Sequence, residues 1–143
     1  MQGLLSEETK LIQTDALTAA GTSLISGTGV DMQADGGWDG VRLFVSVGTP
    51  AANNIVHAEE SADNSSFADI AASEPAAVDT DDAVQRIDIF RPSKRYVRLV
   101  VARGTSTALS ALFAELYRPR TPPYAPTADH NVVKLVEPKA GTK

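Results

Sequence analysis

A chain of 143 residues, 43% of them hydrophobic, carries enough apolar material for one compact domain with a sizeable core. The absence of cysteine excludes disulfide staples and thiolate metal sites, and a net charge of −5 makes nucleic acid a poor partner for the whole molecule. No run approaches the roughly 18 apolar residues of a membrane span, and MQGLLSEETK lacks the basic and apolar regions of a signal peptide, so the expectation is a soluble protein of a cytoplasm with no membrane partner.

Taken in chain order, the segments are short and punctuated by turn residues. TKLIQTDA (9–16) and TSLISGTGVDMQ (22–33) read as early strands. ADGGWDG (34–40) is a turn in which Gly36, Gly37 and Gly40 are free to take positive φ. VRLFVSVG (41–48) is the clearest early strand, with Val41, Leu43, Val45 and Val47 on one face and Arg42, Phe44 and Ser46 on the other. NIVHAEES (54–61) is a further strand. In the Ser- and Asx-rich turn SADNSSFADI (61–70), Phe67 reads as an anchor plugging the core beneath the loop. AASEPAAVDTDDA (71–83) is a polar connection.

VQRIDIF (84–90) alternates cleanly, and RYVRLVVAR (95–103) follows after RPSK, so the pair reads as a hairpin with a four-residue loop. ALSALFAELYR (108–118) fits two periods. Leu109, Leu112, Phe113 and Leu116 stand at helical spacing, whereas in a strand Leu112, Ala114 and Leu116 would face inward against Phe113, Glu115 and Tyr117. The β context on either side selects the strand. From Pro119 onward five of the chain's eight prolines are concentrated, which predicts an extended arm over 119–143 outside a domain spanning 1–118. Within that arm NVVKLVE (131–137) is β-prone and suited to adding an edge strand to a neighbour. About eight short strands with regular turns predict an all-β, antiparallel jelly-roll sandwich.

Charge is divided along the chain. Residues 1–85 hold two basic and fourteen acidic side chains, a net of −12, and residues 86–143 hold eleven basic and four acidic, a net of +7. Either the two halves interleave in the fold, or they present opposite patches that steer association. RPSKRYVRLVV (91–101) concentrates this question: Val97, Leu99 and Val101 point inward, and Arg91, Lys94, Arg95 and Arg98 lie on the other face or in the turn. Arg95 and Arg98 then await carboxylates from this chain, from a second copy or from an acidic partner.

No catalytic set is legible: there is no GxSxG elbow, phosphate-binding loop or dinucleotide fingerprint. His57 and Glu59 share a strand face and read as a surface pair rather than a metal site, and no cofactor is expected. Asp31, Asp35 and Asp39, and again Asp79, Asp81 and Asp82, form acidic turns that could offer oxygens to Ca²⁺ but match no EF-hand pattern, and they read first as solvated loops. Trp38, the sole tryptophan, either covers one end of the sandwich or offers a ring for sugar stacking.

Two stretches carry a resemblance. ESADNSSFADI (60–70) resembles the S-x-D-[NG]-x-[ST]-[FW] hairpins of jelly-roll domains, and RYVRLVVARG (95–104) resembles the strand that follows them. The sequel, RGTSTALSALFAELYRPRTPPY, with its Gly/Ser/Thr turn and LYRPR exit, is similar to that of head proteins of tailed bacteriophages. Over residues 40–124 the chain thus resembles jelly-roll capsid cement (decoration) proteins, of the kind found on the Bordetella podophage capsid. The resemblance implies a virion protein rather than an enzyme. It would bind the outside of an HK97-fold shell as a homodimer, with the major capsid protein as its partner. The residues that suit such contacts are Arg95, Arg98, Arg118 and Arg120 with Pro122, Pro123, Tyr124, Val132, Val133 and Leu135. The alternative is a carbohydrate-binding sandwich, which requires an exposed aromatic cluster around Trp38 or Tyr96.

Overall fold

The computed structural model describes residues 8–48, 54–74, 83–104 and 106–121. They form eleven strands: β1 (Thr9–Asp15), β2 (Thr18–Gly21), β3 (Ile25–Ser26), β4 (Val30–Asp31), β5 (Trp38–Val47), β6 (Ile55–Ser61), β7 (Ala68–Asp69), β8 (Ala83–Phe90), β9 (Tyr96–Ala102), β10 (Thr107–Leu109) and β11 (Leu112–Pro119). All pairings are antiparallel.

Several short strands are pieces of one interrupted lane. β1 and β2 run along β11 and β10 respectively, with breaks at 16–17 and 110–111, and β3 and β4 both run along β9. Counting lanes, the front sheet is β1/β2, β10/β11, β5, β8, and the back sheet is β3/β4, β9, β6, β7. The chain visits front, back, front, back, back, front, back, front, and closes between lanes already laid down. That order is a jelly roll, two interlocked Greek keys, as the strand spacing predicted.

The core lies between the sheets and is almost wholly aliphatic. Val41, Leu43, Val45 and Val47 of β5 meet Val97, Leu99 and Val101 of β9, with Leu109, Leu112, Ala114 and Leu116 filling the front sheet's inner face. Each such side chain contributes about 1.5–3 kcal/mol by leaving water, so period-two alternation fixes which face turns inward. Residues 108–118 are strand, not helix, with Phe113, Glu115 and Tyr117 outward. Trp38 is 1% exposed and closes one end of the core.

Two expectations need correction. β8 and β9 are not a hairpin: β8 pairs with β5 in the front sheet, and β9 pairs with β6, β3 and β4 in the back sheet. The four residues between them turn a corner across the sandwich. Arg91, at φ 54°, donates its N–H to the Asp39 carbonyl of the front sheet, while the Glu60 carboxylate of the back sheet accepts the N–H groups of Ser93 and Lys94. Phe67 does not plug the core either. It lies on the outer side of the back sheet, under the Arg98 guanidinium at 3.9 Å from the ring centroid.

Among the described residues the back sheet's in-sheet hairpin is β6–β7, built by the motif read in the sequence. The Asp63 carboxylate accepts the N–H groups of Ser65 and Ser66 and the Ser61 hydroxyl, and Asn64 takes φ 60°. These donors hold the Asp63 carboxyl well below the usual carboxylate range. In the Gly-rich turn, Gly36 and Gly37 take positive φ, but Gly40 does not; it is strand, and Tyr117 lies over it in the space a Cβ would need.

Candidate interaction surfaces

The corner made by RPSK stands at the same end of the sandwich as the acidic turn 31–39. Here the charges of the two halves meet. Arg95 binds both oxygens of Asp31 at 2.9 and 2.7 Å, Arg120 binds Asp39 at 3.0 Å, and Lys10 binds Asp35 at 2.8 Å. The bidentate pair holds the Asp31 carboxyl below, and the Arg95 guanidinium above, their ordinary ranges. All three aspartates of the supposed calcium turn are therefore occupied by cations of the chain itself. The second acidic turn, Asp79–Asp82, lies outside the described residues.

Arg91, Lys94, Arg95 and Arg120 line one open cleft of about 260 Å³ beside Met32 and Trp38. Among the described residues no carboxylate pairs with the side chains of Arg91 and Lys94, so the cleft rim keeps two uncommitted cations. Of the arginines read as partner-binding, the fold thus brings Arg95 and Arg120 together. It sends Arg98 to the outer face of the back sheet and Arg118 to the front sheet, over the Phe90 ring. Pro122, Pro123, Tyr124, Val132, Val133 and Leu135 lie outside the described residues. The last described residues still belong to the domain: Pro119 stands opposite Trp38, and the Arg120 N–H donates to the Gly37 carbonyl.

The outer face of the front sheet was not singled out by sequence reading, and it is where the aromatics gather. Phe44 of β5 and Phe113 of β11, paired in register, stack at 5.5 Å between centroids. Around them stand Leu11 of β1 (37% exposed), Val84 (66%) and Phe90 (49%) of β8, and Tyr117. Phe90 is flanked by the guanidiniums of Arg91 and Arg118, at 5.1 and 5.4 Å. At the centre Arg42 binds Glu115 at 2.9 Å, and Tyr117 donates its hydroxyl to Asp88 at 2.6 Å. Burial and this bond push the Tyr117 phenol up to about 12. The signal was present in the sequence: three of four phenylalanines fall on outward positions of strands whose inward positions are aliphatic.

The outer face of the back sheet holds a different set. Arg98 donates to one oxygen of Glu59 at 2.6 Å, leaving the other turned toward His57 Nε2 at 3.6 Å. Asp69, which β7 places opposite Glu59, brings its carboxylate to 3.3 Å from the same nitrogen. The His57–Glu59 pair was legible from spacing; Asp69 was not, because only the β6–β7 register supplies it. Trp38, being buried, offers no sugar-stacking face, and the Tyr96 ring is covered by Arg95 at 5.1 Å.

No protein-family model matches the chain, and no curated protein matches it in sequence. Among solved structures it is similar to the crystal structure of PBSX exported protein XepA, with a TM-score of 0.54 and 18% identity. The match covers 96% of this chain and 46% of that one, so this chain spans about half the length of that neighbour. At such identity the likeness is one of fold.

Proposed function

We propose that the protein is a structural component of a tailed-phage particle, a cement protein that binds the outside of an HK97-fold shell as a homodimer and bridges its capsomers. The observation that carries this reading is the aromatic outer face of the front sheet. A core built from Val and Leu needs no phenylalanine outside it, and apolar side chains on a charged, soluble fold mark a surface meant to be covered. Four lanes about 4.8 Å apart and some eight residues long give roughly 500 Å², a good part of the ~800 Å² that one partner contributes to a standard interface. The fold, shared with PBSX exported protein XepA, supports the same reading, as does the resemblance of residues 40–124. Nothing in the work proposed requires a catalytic pocket: it asks for a rigid body, an aromatic face to seat on the major capsid protein, and cations without a carboxylate partner, such as Arg91 and Lys94 at the end cleft, for an acidic shell.

The test is sedimentation of the purified protein with capsids stripped of it. The wild-type chain is expected to bind in fixed stoichiometry. Val84→Glu and Phe90→Ser, at exposed positions that leave the core intact, are expected to reduce occupancy while circular dichroism and Tm stay near wild type. Absence of binding by the wild type overturns the reading; full binding by both variants moves the contact off the front sheet.

A further inference from the structure

We infer that His57, Glu59 and Asp69 form a binding site for a divalent transition ion of the Zn²⁺ class on the outer face of the back sheet. The site is independent of the capsid reading and of the front-sheet face. Three ligand atoms, one from each residue, lie within 4.8 Å of one another. Their spacing suits an ion better than it suits hydrogen bonds. His57 Nε2 stands 3.6 Å from Glu59 and 3.3 Å from Asp69, long for N–H···O bonds, whose usual length is about 2.9 Å. Ligands about 2.0–2.1 Å from a tetrahedral ion are themselves about 3.3–3.4 Å apart, which the His57–Asp69 distance matches and the other two pairs, within 4.8 Å, would reach by small side-chain shifts.

The imidazole presents the nitrogen such a site needs. Nε2 is the ring nitrogen that faces the two carboxylates, while Nδ1 is buried. Glu59 is held in place from behind: Arg98 takes its second oxygen at 2.6 Å and is itself stacked on Phe67, which fixes the carboxylate with one oxygen turned to the histidine. Two carboxylates and one guanidinium around the imidazole leave these three side chains with a net charge of −1, favourable to a dication. His57 and Asp69 open onto a cleft of about 340 Å³ that Ser73 and Glu74 also line, which gives an ion an entry path and leaves its fourth position to water. An imidazole among the ligands selects Zn²⁺ or its first-row neighbours over Ca²⁺ and Mg²⁺, which prefer oxygen sets.

The experiment is calorimetric titration of the tag-free full chain with Zn²⁺, repeated with Mg²⁺, and absorption spectroscopy with Co²⁺ as a probe of geometry. One saturable Zn²⁺ site per chain is expected, with a tetrahedral Co²⁺ spectrum and no competition by equimolar Mg²⁺. His57→Gln should abolish it and Asp69→Asn, an exposed position (77%) whose change leaves the fold intact, should weaken it by about tenfold or more. His130→Gln, which changes the chain's other histidine, should leave it unchanged. A flat isotherm for the wild type overturns the inference, and so does a Zn²⁺ site that persists in both His57→Gln and Asp69→Asn.

Discussion

At the scale of single residues, the basic run 91–101 asked whose carboxylates face Arg95 and Arg98. They are Asp31 and Glu59, from strands far earlier in the chain. The outward direction of Arg98 follows from alternation with Val97 and Leu99, and Arg95 stands in the turn that precedes the strand. Their partners do not follow from alternation, because Asp31 meets Arg95 only once β4 is laid along β9. The Arg95–Asp31 pair has a measurable signature. Its carboxyl has a folded pKa below the unfolded value of 3.8, so the stabilisation is present above that value and lost as pH falls through the folded one. Arg95→Met is therefore expected to lower stability slightly at neutral pH, by an amount that shrinks as salt screens this exposed pair. In urea unfolding the two proteins should converge as pH falls through the folded value, below which Asp31 is protonated in both states. A gap that persists there would assign the loss to packing of the arginine stem on Tyr96 instead.

Elements show where sequence reading reaches and where it stops. The strands over 41–48, 84–90 and 95–103 were legible from period-two alternation, since burying one face dictates that pattern whichever sheet the strand joins; 108–118, which also fits a helical period, was placed by its β context. Sheet membership was not legible. β8 and β9 alternate as a hairpin would and are joined by four residues, but the corner is fixed by Asp39 and Glu60, both remote in sequence. The same remoteness hid the acidic and aromatic sites, because cross-strand neighbours are set by register rather than by spacing. The segment 108–118 supplies a test at this scale. A helix would bury Leu116 and Phe113 alike, whereas strand β11 buries Leu116 in the core and sets Phe113 outside against Phe44. Leu116→Ala is expected to cost about 2–5 kcal/mol, a cavity in a close-packed core, and Phe113→Ala on the order of 1–2 kcal/mol from the lost stack and partial burial. Equal losses in denaturant unfolding would contradict the assignment of faces.

For the molecule as a whole, charges of the two halves of the chain are brought together among the described residues. Arg95, Arg98 and Arg120 of the basic half pair with Asp31, Glu59 and Asp39 of the acidic half, so the sandwich is stitched by its own carboxylates. What remains for a partner is the aromatic face, the cations at the end cleft and the sequence beyond Thr121. The composition of that last segment predicts an extended arm, and the fold says where a cut should fall. Pro119 and Arg120 still contact Trp38, Gly37 and Asp39, so removal from 119 damages the domain as well as the arm. Removal of residues 122–143 alone is therefore the informative deletion. It is expected to leave Tm close to wild type and to reduce occupancy on capsids, whereas removal of 119–143 should lower both, since it also strips the Arg120–Asp39 pair and uncovers the Trp38 end of the core. Sedimentation with capsids and thermal unfolding of the two truncated proteins separate the effects. Full occupancy after the shorter deletion would remove the arm from the mechanism and leave attachment to the front sheet alone.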